Sequence, residues 1–403
     1  MNKGISFRWR LPIIETSAAI LAIVATISLV QHLHAVSHRY DQFDFSVFYG
    51  WWTDYSSGGN PWTDLRGPML GCNYTPFFIA IFSPFARLDQ KTAFWIWQAA
   101  QILCMVIGVL LLARGNASPL GTAPTIIMLS LAMLSSPFMA AVAWSQIAPM
   151  LLALLSAAWF CARRQQPAAA GLWLALAALL KLYPAAVAGY FLFGRRWRAL
   201  GWTICFFAVG VLLTNPARWI ELGTEGLPIA YRITGHHGLS VLSFVRRSAA
   251  HLAGTRADAE PLFVVWGFTA LIDLLLLAIA AAATITSRGC ADDLAFGLWV
   301  ALAVLMSPLA WRQDFLLLLP ASLFGLIAAW QGFQSCEPAR NIALIAGSAM
   351  LAASVAAELI KALPGPGFTM LLALYFGAAV IFWSQIRAEL RGAEPKTAPD
   401  RPV

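Results

Sequence analysis

The chain predicts an all-α, polytopic membrane protein. Of its 403 residues, 60% are hydrophobic and only 11% charged, and apolar stretches of bilayer-crossing length recur along most of it. Such stretches run at roughly 12–31, 90–113, 122–142, 147–162, 197–214, 261–285, 291–308, 313–333, 341–360 and 368–386.

The first stretch, Leu11 to Val30, follows Lys3, Arg8 and Arg10 and resembles a secretory signal. No small-x-small cleavage site closes it, and His32, His34 and His38 follow at once, so an uncleaved first span is expected. The stretch from Ala168 to Phe193 is different. Basic clusters flank it, Arg163-Arg164 before and Arg195-Arg196-Arg198 after, and one crossing cannot join two clusters on the same side. Lys181-Leu182-Tyr183-Pro184 interrupts it at the middle, which predicts two short helices with the break at their apex. With both halves counted, about twelve helices are expected, some short or broken, and both termini cytoplasmic.

Charge supports this topology. Fifteen Lys and Arg fall on the inner side, and in short outer connections only Lys181, Arg312 and Lys361 do. The net charge of +8 is thereby explained by inner loops, without nucleic acid. Residues 1–390 read as one membrane domain, with long outer loops at about 32–90 and 215–260. Residues 391–403 read as a disordered, Pro- and charge-rich cytoplasmic tail. The six cysteines form no CxxC pair and read as small core residues. No GxGxxG, Walker A or HExxH sequence occurs, which leaves a nucleotide-phosphate loop and a zinc hydrolase without support.

Five polar features arrive on the outer side: Asp44 with Asp41 and Asp54; Trp144-Ser145-Gln146; Lys181 to Pro184; the loop from His236 to Arg247; and Ser307 to Asp314. Gly59-Asn60-Pro61-Trp62 and Asn73-Tyr74-Thr75-Pro76 accompany the first. In order and spacing this set resembles glycosyltransferase family 87, the polyprenyl-phosphate-mannose-dependent mannosyltransferases of the GT-C class. The carrying residues are Asp44, Tyr49, Gly59 to Trp62, Tyr74-Thr75-Pro76, Ser145-Gln146, Gly171 with Lys181 to Pro184, Gly238-Leu239-Ser240 with Arg246, and Ser307 to Trp311. The chain departs from the family at three places. Arg312-Gln313-Asp314 stands where a His is frequent, Gly238 replaces an Asn, and Ser145 replaces a Gly.

The resemblance implies a GT-C-type helical bundle in a bacterial plasma membrane, with its active site facing outward. It implies an inverting transfer of a sugar, mannose foremost, from a polyprenyl-phosphate donor to a lipid or glycan acceptor; no cofactor or nucleic acid is called for, and the absence of an Asp-x-Asp motif argues against a metal. A related enzyme using a lipid-linked pentose or glucose, and a transporter or flippase of a lipid-linked sugar, stand as alternatives. Asp44 is the expected general base, against a helix N-cap, with Asp41 as competitor. Lys181 is expected to bind donor phosphate, against a lysine snorkelling to headgroups. Arg246 and His237 are expected beside it on the phosphate. Gln146, Tyr74, Ser240 and Trp311 are expected to hold sugar or acceptor, against interface caps and an aromatic belt. Asp314 reads as a helix cap or a second cavity carboxylate, the cap preferred.

Overall fold

A computed structural model describes residues 10–39, 44–62, 72–115, 121–228, 238, 240–253, 262–286 and 290–324. Asp41, His236, His237, the stretches 341–360 and 368–386 and the tail 391–403 lie outside the described residues. Among the described residues all regular structure is helical. The helices are α1 (Arg10–Ser37), α2 (Asp44–Ser56), α3 (Pro76–Phe82), α4 (Gln90–Gly115), α5 (Thr122–Leu134), α6 (Ser136–Ala143) and α7 (Ala148–Arg163). They continue as α8 (Pro167–Leu180), α9 (Ala188–Phe193), α10 (Trp197–Leu213), α11 (Pro216–Glu221), α12 (Val241–Ala253), α13 (Leu262–Thr286) and α14 (Cys290–Met306).

Among the described residues, three helices are long and apolar enough to cross a membrane: most of α1, all of α4 and most of α13. Two bent pairs raise this to five. Large aliphatic side chains stand exposed on these helices, including Ile23 and Ile27 on α1, Leu103 on α4 and Leu271 and Leu274 on α13. An apolar surface of this extent has to face lipid.

The expected break at Lys181 is present. α8 stops at Leu180, a 3₁₀ turn covers Tyr183–Val187, and α9 resumes at Ala188. The single span expected over 122–142 bends by 56° at Ser135. There Pro137, which has no N–H, opens α6, and the Ser135 hydroxyl accepts from Phe138 N at 3.4 Å. Two helices interrupt the long loop expected at 215–260. α11 turns 102° away from α10, its Pro216 start capped by Asn215, and α12 begins after Ser240.

α7, α8 and α14 run between the same two ends of the molecule. At a rise of about 1.5 Å per residue they are about 21 to 26 Å long. One end is basic and internally paired. Arg163 meets Asp293 at 3.4 Å, whose other oxygen accepts from Trp159 Nε1 at 2.9 Å. Arg196 pairs with Asp292, which also accepts from the Tyr190 hydroxyl at 3.0 Å. The two basic clusters of the sequence therefore do share one end, and the Lys181 break lies at the other.

Gly171 explains how α8 reaches that break. A Cβ placed on it would lie 2.6 Å from Trp202 Cβ and 2.7 Å from Thr203 N on α10, so only a glycine permits this crossing. Gly201, with nothing within 4 Å of a built Cβ, is the contrast. Gly171→Val is expected to lower the thermal unfolding midpoint in detergent sharply. Gly201→Ala is expected to leave it unchanged or raise it slightly, for a gain in stability of about 1 kcal/mol at most. Scanning fluorimetry of the two variants checks the pair.

Candidate active site

Five segments far apart in sequence deliver their polar side chains to the end opposite the arginines. Asp44 opens α2, beyond the last residue of α1. Its carboxylate accepts a hydrogen bond from Gln146 Nε2. Gln146 Oε1 in turn accepts from the Tyr74 hydroxyl at 2.8 Å. The direction is forced: a carboxylate only accepts, so the amide must present its NH₂ to Asp44 and its oxygen to Tyr74. Burial, with help from the Asp314 and Asp44 charges, pushes the Tyr74 hydroxyl well above its ordinary range and keeps it a donor. Asp44 accepts from Gln146 and, among the described residues, from no N–H of its own helix, so the N-cap reading does not describe its contacts.

Lys181 lies beyond Tyr74, its Nζ 5.7 Å from that ring and 5.1 Å from the ring of Tyr183. It does not snorkel. At 9% exposure it is buried, and its ammonium pairs with Asp314 Oδ1 at 3.0 Å. The Tyr183 hydroxyl donates to the same oxygen at 3.0 Å, and Trp311 N donates to Asp314 Oδ2 at 3.0 Å. Asp314 is thus both of the things considered for it, a cap on the turn after Trp311 and a buried carboxylate of the site. Tyr183 was not singled out from the sequence, although it lies inside the Lys181-to-Pro184 motif.

The other expected residues are placed unequally. Ser240 is buried, and its hydroxyl caps α12, accepting from Ser243 N at 3.1 Å. It lies 3.5 Å from the Pro308 carbonyl, which seats the start of α12 against the elbow that carries Trp311. Arg246 is buried on α12, about one and a half turns in, where a loop was expected. Tyr74 is buried among Phe48, Trp51 and Phe78, with ring centroids 5.1, 6.0 and 4.4 Å away, so its ring serves packing and its hydroxyl serves Gln146. His237 lies outside the described residues. Asp54 is about 15 Å further along α2 and sits beneath Gly59, away from Gln146.

This end of the molecule joins a half-buried carboxylate, an amide that orients it and a buried ammonium. Such a set can accept a proton from a hydroxyl and hold an anion beside it. The sequence profile of glycosyltransferase family 87 matches residues 73–308, more than half of the chain. The chain belongs to glycosyltransferase family 87. Two similar proteins are polyprenol-phosphate-mannose-dependent alpha-(1-2)-phosphatidylinositol mannoside mannosyltransferases. That of Mycobacterium tuberculosis is 26% identical over 319 residues, 72% of this chain and 71% of its own length. That of Mycolicibacterium smegmatis is 26% identical over 318 residues, 69% of each chain. As a family 87 member the chain is a membrane glycosyltransferase, and the cluster around Asp44 is its candidate active site.

Burial pushes the Asp44 carboxyl up to about 6, against the pull of the Gln146 hydrogen bond and the Lys181 charge. A base of this kind works deprotonated, so transfer is expected to rise through about pH 6 and level off above it. Gln146→Leu removes a bond that favours the charged form and is expected to move this limb to higher pH, as the pH dependence of kcat/KM would record. The Lys181–Asp314 pair gives a second expectation. Asp314→Leu alone strands a buried ammonium and is expected to cost about 3 kcal/mol or more in denaturant melts, whereas Lys181→Met with Asp314→Leu recovers most of that loss.

Proposed function

We propose that this protein is an inverting mannosyltransferase that takes mannose from a polyprenyl-phosphate donor at the outer face of a bacterial plasma membrane. The observation that carries the proposal is the Asp44 carboxylate, held by one amide and set beside the buried Lys181 ammonium. Both mycobacterial relatives are named for a polyprenol-phosphate-mannose donor, which supports mannose over a pentose or glucose. Their phosphatidylinositol mannoside acceptor supports a lipid or glycan acceptor here. The positive-inside pattern supports an arginine end in the cytoplasm, a site outside and both termini inside. The apolar stretches of the sequence, including 341–360 and 368–386, support about twelve membrane helices in this reading.

In this reading the acceptor hydroxyl attacks the anomeric carbon as Asp44 takes its proton. The bond from that carbon to the phosphate oxygen breaks, and the phosphate departs with the electron pair and needs no acid. Asp314 occupies one ammonium proton of Lys181, which leaves the others to meet the phosphate. Arg246 and His237 supply further donors to the phosphate in this reading. Gln146, Trp311 and the Ser240 cap shape the sugar and acceptor side.

Transfer from radiolabelled polyprenyl-phosphate-mannose to membrane lipid acceptors tests the reading. Asp44→Asn, which keeps the shape and loses the base, is expected to lower transfer by a factor of about 100 or more. Full activity in that variant would remove Asp44 as base. Transfer from the pentose or glucose donor alone would remove mannose.

A further inference from the structure

We propose that Trp97 and Gln98 of α4 are positioning residues: they hold the Ser145 turn in the shape that delivers the Gln146 amide to Asp44. Neither residue touches Asp44, and the family motifs in this sequence include neither. The turn needs holding. Ser145 has a φ of 54°, in the left-handed region that suits glycine and strains a residue with a Cβ. Gln146 N donates back to Ala141 O at 2.8 Å and closes the turn from within. The rest of the hold comes from α4. Trp97 Nε1 donates to Ser145 O at 2.7 Å. Gln98 Nε2 donates to Val142 O at 2.9 Å and to Ser145 Oγ at 2.9 Å. Both side chains are buried, Trp97 at 0% and Gln98 at 1% exposure, so these bonds form away from water, where leaving them unmade is costly.

Trp97 also reaches the other half of the site. Its ring packs on α2 through Trp52, Phe48 and Phe45, with centroids 5.4, 6.2 and 6.5 Å away. α2 begins with Asp44. One side chain therefore braces both the helix that carries the carboxylate and the turn that carries its donor. Gln101, one turn further along α4, shows that a buried glutamine here is not by itself part of the brace. It is 0% exposed, and neither its nitrogen nor its oxygen has a hydrogen-bond partner among the described residues.

The consequence for turnover rests on Asp44 being the base, but the brace can be tested without turnover. Hydrophobic carbodiimide reacts with a protonated carboxyl, so labelling of Asp44 in the full purified chain, read by mass spectrometry across pH, gives the titration midpoint. Among the described residues, Lys181 acts on Asp44, and Asp314 and Cys72 act with Asp44 on Tyr74; the variants leave all of these groups in place. Gln146→Leu is expected to raise the midpoint by about one pH unit. Gln98→Met and Trp97→Phe, which keep the volume and the ring but lose the donor, are expected to raise it by roughly half a unit each. Gln101→Met is expected to leave it in place. Ser145→Gly, added to Gln98→Met, is expected to bring the midpoint back, because a glycine holds the left-handed turn without help. Thermal melts of each variant confirm that it is folded. An unmoved midpoint in Gln98→Met, an equal shift in Gln101→Met, or no rescue by Ser145→Gly would each overturn the proposal. Full transfer by Asp44→Asn would instead remove the base assignment and leave the labelling result to judge the brace.

Discussion

Lys181 is an ammonium that the membrane cannot tolerate alone. It sits where α8 stops, and it is buried. A charge in that position needs an opposite charge and hydrogen bonds that use its protons. Asp314 supplies the charge from 133 residues further along the chain. The pairing fixes the break after α8 against the elbow after α14, and Tyr183 and Trp311 complete the carboxylate's shell. Tyr74 enters the same space, its ring near the ammonium and its hydroxyl on Gln146. Gln146 then meets Asp44. Asp44 is therefore placed by a relay that starts from the need to neutralise one buried lysine.

The break itself was legible because two constraints met there. Basic clusters on both sides of 168–193 forbade a single crossing, and Lys181 to Pro184 could not continue a helix. Asp44 was legible from its place after the first span. Its partners were legible only as motifs. That Gln146 touches Asp44, or that Asp314 touches Lys181, depends on how α4, α7, α8 and α14 pack, and no local pattern encodes a contact between residues more than 100 positions apart. The α12 helix was missed for a different reason. Ser240, followed by Val241, Leu242 and Val245, has the cap and apolar spacing of a helix start, but the nearby Gly238 and the histidines drew the reading toward a loop. Trp97 and Gln98 left a fainter trace. Two glutamines, Gln98 and Gln101, within a long apolar run mark a face that is buried against protein and not against lipid.

Gly171 and Ser145 show how backbone tolerance serves the site from opposite directions. At Gly171 the absence of a side chain lets α10 come close enough to fix the slope of α8, and with it the height of Lys181. At Ser145 a side chain is present where glycine would be easier, and its hydroxyl is used as a handle by Gln98. The first position is satisfied by omission and the second by a hydrogen bond. Both set the position of a residue that follows them.

Four carboxylates lie in the polar clusters at the two ends, and their surroundings separate them. Asp292 has Arg196 and the Tyr190 hydroxyl; Asp293 has Arg163 and the Trp159 indole; Asp314 has Lys181, Tyr183 and a backbone N–H. Each of these three is matched by a cation in direct contact and at least one further donor. Asp44 differs. Its one hydrogen-bond donor among the described residues is a neutral amide, and the nearby cation, Lys181, is already joined to Asp314. Burial then raises its affinity for a proton, and the Lys181 charge lowers it only in part. At its own end of the molecule Asp44 is also the partly exposed carboxylate, whereas Asp314 is buried. A general base needs both properties, and in this cluster only Asp44 combines them.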